Sequence, residues 1–140
     1  NVIANTVELE GSVRSLDEDM RDLVQERLHQ VAEGTAAANQ CEITIEYERG
    51  YPITDNNEEA TQHAISVASS VSEVDTDTPP IMPSEDFAYM LMEKPGAFIF
   101  LGNGDSQMLH NPEYIFDDEA IPFGSSWYAG MVEERLPITG

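Results

Sequence analysis

From Thr6 to Arg14 apolar and polar positions alternate, with Val7, Leu9, Gly11 and Val13 on one side and Glu8, Glu10, Ser12 and Arg14 on the other. A period of two predicts a half-buried strand. Ser15 and Glu18 then stand at capping-box spacing, and Met20, Leu23, Val24, Leu28 and Val31 recur at helical steps until Gly34. This predicts an amphipathic helix that ends at Gly34. A second alternation sets Ile43, Ile45 and Tyr47 against Glu42, Thr44, Glu46 and Glu48 before the turn signals Gly50, Tyr51 and Pro52. The expected order is strand, helix, strand.

Beyond the capping residues Asp55, Asn56 and Asn57, the positions Ala60, Ala64, Val67, Ala68 and Val71 form a small-residue helical face suited to close packing. Residues 72–83 are rich in Ser, Asp, Thr and Pro and read as a loop, with room for one short strand around Val74. Ser84 is placed as the N-cap of a short helix carrying Glu85 and Asp86 in its first turn and Phe87, Met90 and Leu91 on its buried side. Residues 97–101 are continuously apolar and are closed by Gly102, Asn103 and Gly104, the pattern of a strand covered on both faces in a parallel sheet. A terminal helix is expected around Phe123, Trp127, Met131 and Val132, with Pro122 in its first turn. Two parts result, one to about Tyr51 and one from about Asp55, and each leaves a sheet unclosed. With Asn1 in place of an initiator methionine, the chain is expected to be a fragment.

Composition narrows the function. At 140 residues with 41% hydrophobic content the chain is long enough to bury a core. Its 27 acidic residues against 6 basic ones give a formal charge of −21, so nucleic acid and anionic membrane surfaces are not expected partners. A single cysteine, Cys41, excludes an internal disulfide and any paired-cysteine redox or zinc-ribbon site, and reads as a core thiol. No apolar run reaches the length of a membrane span, and the N-terminus lacks a basic segment followed by an apolar one.

Three histidines are available for chemistry. His29 and His63 lie in amphipathic helical patterns and read as structural, solvated or half-buried. His110 lies between the apolar run and the terminal helix, in Leu109-His110-Asn111-Pro112 with Asp117, Asp118 and Glu119 downstream. Loops after buried strands carry function in α/β proteins, so His110 is the candidate ligand or base. The pairs Glu58-Glu59, Glu85-Asp86 and Asp117-Asp118 are candidate carboxylate sites, but acids near helix starts also have a purely electrostatic explanation. No phosphate loop, serine nucleophile elbow or HExxH motif is present, so the chain holds no self-contained catalytic constellation.

Five ordered segments carry a resemblance. NVIANTVELEGSVR (1–14), RGYPITDN (49–56), MPSEDFAY (82–89), PGAFIFLG (95–102) and LHNPEYIFDDEA (109–120) resemble, in the same order, the motifs NVIPDTVELEGTVR, GYPPTVND, MGSEDFAY, PGAFFFLG and LHNPxYDFNDEA of bacterial N-acyl amino acid amidohydrolases, the group of hippurate hydrolase, the indole-acetyl amino acid hydrolases and aminoacylase-type metallopeptidases. The resemblance implies an α/β fold. Residues 1–54 would be the second half of a ferredoxin-like dimerisation lid, and residues 55–140 the closing segment of a dinuclear-metal aminopeptidase-like catalytic domain.

The implied activity is hydrolysis of the amide of an N-acyl amino acid by a metal-activated water, in a cytoplasmic homodimer with two divalent ions, zinc, manganese or nickel. His110 falls on the family's last metal ligand, and a neutral imidazole suits those metals. Asn1 and Arg14 fall on lid positions that reach the substrate carboxylate, for which a guanidinium offers a planar fork. Arg14 equally admits an ion pair with Glu8 or Glu10 on the same strand face. Ser84 and Glu85 match positions lining the substrate cleft. Among the departures from the family pattern, Pro83 stands where the family has Gly, removing an N–H from that wall, and Ala4 where it has Pro. The catalytic glutamate and the remaining ligands would precede Asn1, so the chain alone is expected to be inactive and to bind no metal tightly. The alternative reading is a non-catalytic acidic α+β dimerisation or binding module, and a third is a mononuclear metal site of His110 with Asp117 and Asp118.

Overall fold

The computed structural model describes residues 1–137, so the last three residues of the 55–140 assignment lie outside it. The described chain contains four helices, α1 (Glu18–Asn39), α2 (Glu58–Val71), α3 (Phe87–Glu93) and α4 (Ala120–Arg135), and no strand. This overturns the expected α/β fold with its ferredoxin-like lid. A strand exists only through a ladder with a neighbour. Among the described residues no backbone hydrogen bond joins 1–14, 42–48 or 97–101 to a second such segment. Alternation marks which side chains could share a face, but it cannot supply the partner edge. Val7 and Leu9 are accordingly 79% and 92% exposed, and Phe100 and Leu101 of the apolar run are 61% and 50% exposed. The short strand around Val74 is also absent.

The chain divides into two compact units, Asn1–Ile53 with Pro80–Ser84, and Thr54–Pro79 with the residues from Glu85 onward. In the first unit α1 starts two residues later than the capping-box spacing predicts. Asp17, in extended conformation, accepts the Met20 N–H at 2.8 Å, while the Ser15 hydroxyl bonds Asp17 itself. Nor does Gly34 end the helix. Thr35, three alanines and Asn39 continue it, because alanine is the best helix former and one glycine costs only about 1 kcal/mol. The true stop is Gln40 at φ 57°, after which the Cys41 N–H returns to the Ala36 carbonyl at 3.1 Å. Cys41 is exposed, not a core thiol.

The segment 49–53 is fastened to the first turns of α1. Arg21 donates to the Gly50 carbonyl at 2.7 Å, Arg49 pairs with Asp22 at 2.5 Å and Glu18 at 3.3 Å, and the Ile53 N–H meets Glu18 at 3.3 Å. The hydrogen bond to Asp22 raises the Arg49 guanidinium above its ordinary value, with the charges of Asp22, Glu18 and Tyr47 acting in the same sense and desolvation opposing them. Further along α1, half-buried His29 faces the Tyr47 ring at 6.4 Å.

The second unit rests on α2 against α4, the one helix–helix contact among the described residues. Asn57 caps α2 by accepting the Ala60 N–H at 3.0 Å. The small-residue face turns inward, with Ala64 and Val67 buried. Gly130 of α4 allows the approach, since a Cβ there would lie 2.7 Å from Val67 Cγ1. Trp127 Nε1 donates to the Ala64 carbonyl at 3.1 Å. At the helix ends, His63 Nδ1 meets Glu134 at 2.5 Å, and Arg135 reaches His63 Nε2 at 2.7 Å. The nitrogen accepting from Arg135 must carry its lone pair, so the proton sits on Nδ1 and is donated to Glu134. His63 is thus structural, as its helical pattern predicts.

Side-chain amides do the work that a strand ladder would have done around the apolar run. Asn56 donates to the Phe98 carbonyl at 2.9 Å and accepts the Phe98 N–H at 2.8 Å. Phe98 lies between Phe87, tilted 43° to it, and Phe100, which meets it edge to face, with centroids 5.8 and 5.3 Å away. Leu101 lies over Gly124 of α4, its Cδ2 3.2 Å from where a Cβ would stand.

Candidate functional site

His110 sits at the middle of the loop 103–117, on its surface. The Asn111 N–H bonds the Met108 carbonyl at 3.1 Å, which closes a turn over Leu109 and His110, and His110 takes φ 67° at its third position. Positive φ is uncommon for a side chain larger than glycine, although histidine is among the residues that tolerate it best. Such backbone persists where surroundings hold it and tends to collect at functional sites. The next turn supplies part of the hold: Asn111 accepts the Glu113 N–H through its side chain at 2.9 Å and the Tyr114 N–H through its carbonyl at 3.0 Å.

The loop is closed at its base by Asn103, which the sequence reading took as turn punctuation, and by Ser106, which it did not single out. Asn103 donates to the Ile115 carbonyl at 2.7 Å and accepts the Asp117 N–H at 2.8 Å, and the Ser106 hydroxyl accepts the Ile115 N–H at 3.0 Å. Within 101–113 only Asn103 and Ser106 are half-buried, and all the others are exposed. Gly104 takes φ 72°, where a Cβ would come 3.6 Å from an Asp117 oxygen. A signal was available: asparagine between two glycines in a loop carries both a donor and an acceptor with room to aim them.

The acids near His110 serve the helix start. Asp117 accepts the Glu119 N–H with its carboxylate at 3.0 Å and the Ala120 N–H with its carbonyl at 3.0 Å, while Asp118 accepts the Ile121 N–H with its carbonyl at 3.1 Å. They favour the positive end of α4. Among the described residues no three His, Cys, Asp or Glu side chains converge on a point suited to a metal ion, so the mononuclear site of His110 with Asp117 and Asp118 is not formed. His110 by itself fits a single ligand position: it is exposed, and its imidazole makes no hydrogen bond or ion pair to another described residue.

Of the residues assigned to the substrate, Asn1, Arg14 and Ser84 belong to the first unit and Glu85 to the second. Arg14 is exposed and its Nη1 donates to the carbonyl oxygen of Met82, two residues before Ser84. The two candidates therefore share one neighbourhood although 70 positions separate them (84 − 14). No ion pair of Arg14 with Glu8 or Glu10 occurs among the described residues. Asn1 is exposed. Ser84 does not cap a helix. α3 begins at Phe87, after a turn in which Glu85 accepts the Phe87 N–H at 3.3 Å and Asp86, in helical conformation, precedes the first residue. A shallow cleft of about 510 Å³ lies between 55–58 and 91–96 and includes none of Asn1, Arg14, Ser84 or His110. No described helix is long and apolar enough to cross a membrane.

Residues 4–134 match the sequence profile of peptidase family M20/M25/M40, and the chain belongs to that family. Its relatives include the hippurate hydrolase of Campylobacter jejuni, 35% identical over 97% of this chain and 36% of the relative. The N-acetyldiaminopimelate deacetylase of Pediococcus pentosaceus is 33% identical over 97% and 36%, and that of Streptococcus suis 37% identical over 88% and 33%. The chain thus spans about a third of the length of these relatives. No solved structure matches it. Divalent metal ions are in general use in this family.

Proposed function

We propose that this chain is part of a metal-dependent amidohydrolase that cleaves the amide of N-acyl amino acids. The observation that carries the reading is His110, an exposed imidazole with no partner among the described residues, held at positive φ on a clasped loop, in a chain of the M20/M25/M40 family whose relatives are named for hydrolysis of hippurate and deacetylation of N-acetyldiaminopimelate. In this reading His110 is one ligand of a divalent metal, zinc, manganese or nickel. The metal, when bound, supplies Lewis-acid activation of water and of the amide carbonyl.

This chain's own residues hold and orient. Arg14, with its guanidinium on the Met82 carbonyl, retains donors for a substrate carboxylate, and Ser84 stands two residues beyond that anchor. Asn1 is assigned to the same carboxylate. The general-base glutamate and further ligands are assigned to residues outside these 140, so the chain alone binds no metal tightly and turns nothing over. A homodimer, a cytoplasmic location and indifference to nucleic acid and membranes complete the proposal, the last because a charge of −21 repels phosphate surfaces.

The test uses hippurate and N-acetyl amino acids with the isolated 140 residues and with the longer protein that contains them. The longer protein is expected to cleave at least one of these amides in a chelator-sensitive manner, and the isolated chain none. Chelator-sensitive cleavage by the isolated chain contradicts the assignment of the base elsewhere. Absence of cleavage of all these substrates by a folded, metal-loaded longer protein contradicts the activity.

A further inference from the structure

We propose that Asn103 is the positioning residue for His110, its carboxamide closing the loop whose centre presents the imidazole. The proposal rests on the reading of His110 as a metal ligand. Asn103 and Asp117 lie seven positions before and seven after His110 (110 − 103 and 117 − 110), and the two bonds made by the single Asn103 side chain tie the ends of that span together. A compact surface loop of this length whose ends are held close has the outline of an Ω-loop, a form often used to carry function. Closure matters because His110 has no hydrogen-bond partner on its imidazole among the described residues, so the backbone beneath it sets its direction.

The chemistry requires asparagine. Its Oδ1 accepts from the Asp117 N–H while its Nδ2 donates to the Ile115 carbonyl, a pairing of donor and acceptor that aspartate lacks when ionised and serine cannot span. The same carboxamide reaches Asp117, whose carboxylate and carbonyl start α4, so the loop is referenced to a helix as well as to itself. Ser106 adds a single bond on Ile115 and plays the lesser part.

The test is made on the longer protein that contains this chain, with Zn²⁺ affinity measured by competition with a chromophoric chelator. Variants are His110→Ala, Asn103→Ala, the near-isosteric Asn103→Asp, Ser106→Ala and the double variant His110→Ala with Asn103→Ala. His110→Ala is expected to lose one tightly held zinc, and Asn103→Ala to weaken the same zinc about 10- to 100-fold, the usual effect of removing a group that orients a ligand. Asn103→Asp should show a loss of the same kind, which serves if Asn103→Ala fails to fold. Ser106→Ala should cost less, and the double variant no more than His110→Ala alone, since a residue that acts through another adds nothing once the other is gone. Zinc affinity unchanged in both folded Asn103 variants, or an additive loss in the double variant, overturns the positioning role while leaving His110 a ligand. Full zinc retention by His110→Ala overturns the ligand reading and this proposal with it.

Discussion

Two glycines illustrate how local space decides the sign of a substitution. At Gly34, inside α1, a Cβ would meet nothing within 4 Å, so Gly34→Ala should stabilise by about 0.5–1 kcal/mol through helix propensity alone. At Gly130, inside α4, the same change drives a methyl to 2.7 Å from Val67, and Gly130→Ala should destabilise by about 1–3 kcal/mol. Thermal denaturation of the two variants side by side checks both. Stabilisation by both would mean that α2 and α4 do not approach as closely as described, and destabilisation by both that Gly34 is not in open space. The Trp127 indole adds a directional bond between the same helices, and Trp127→Phe should cost about 1 kcal/mol, read from the same melts.

At the scale of elements, caps separate a residue that starts a helix from one that merely precedes it. Asn57→Ala removes the side-chain bond to the Ala60 N–H and should cost about 1 kcal/mol, whereas Ser84→Ala, two residues upstream of the Asp86 position, should leave the stability of α3 unchanged. Far-ultraviolet circular dichroism during denaturation measures both. The Arg49 anchor on α1 has a defined pH behaviour. A cation whose folded value is raised contributes fully below its unfolded value and loses that contribution only as pH climbs through the folded one, so titration of Arg49 itself should leave stability level across the neutral range. The helices were legible because their signals are local: the periodicity around Ala64 and Val67, Asn57 as a cap and Pro122 in a first turn can all be read within a few residues. Where two local signals competed, the reading slipped, as with Gly34 against the alanines behind it and Ser84 against Glu85 and Asp86. The strands were misread for a different reason. Alternation at 6–14 and 42–48 and the apolar run at 97–101 describe side chains fit for a sheet, while the ladder depends on a second segment, and the described chain satisfies Phe98 and Ile115 with the amides of Asn56 and Asn103 instead.

At the scale of the molecule, the buried residues among those described are Ala36, Ala64, Val67, Ala88 and Ala120, all small, while Leu9, Ile3, Phe100 and many others stand in solvent. So much exposed apolar surface is the mark of an interaction face. The isolated 140 residues should therefore self-associate at low ionic strength less than at high, since a charge of −21 opposes close approach and salt screens it. Light scattering across a salt series measures this, and association that weakens with added salt would contradict it. The candidate site was legible in part. His110 was named from its place in the loop and from the resemblance of its motif, and Arg14 from the resemblance, which sets a guanidinium where a carboxylate is expected. The clasp of Asn103 and Ser106 was not, because a hydrogen bond across fourteen positions (117 − 103) leaves no periodic trace in the chain.

The most direct measurement is the rate of hippurate hydrolysis by the longer protein that contains this chain, as wild type and as His110→Ala, each before and after chelation and zinc restoration. The account predicts chelator-sensitive hydrolysis by the wild type, restored by zinc, and loss of that metal-dependent turnover in a His110→Ala variant that melts as the wild type does. Equal, zinc-restorable rates in the two proteins would contradict the assignment of His110 as a metal ligand.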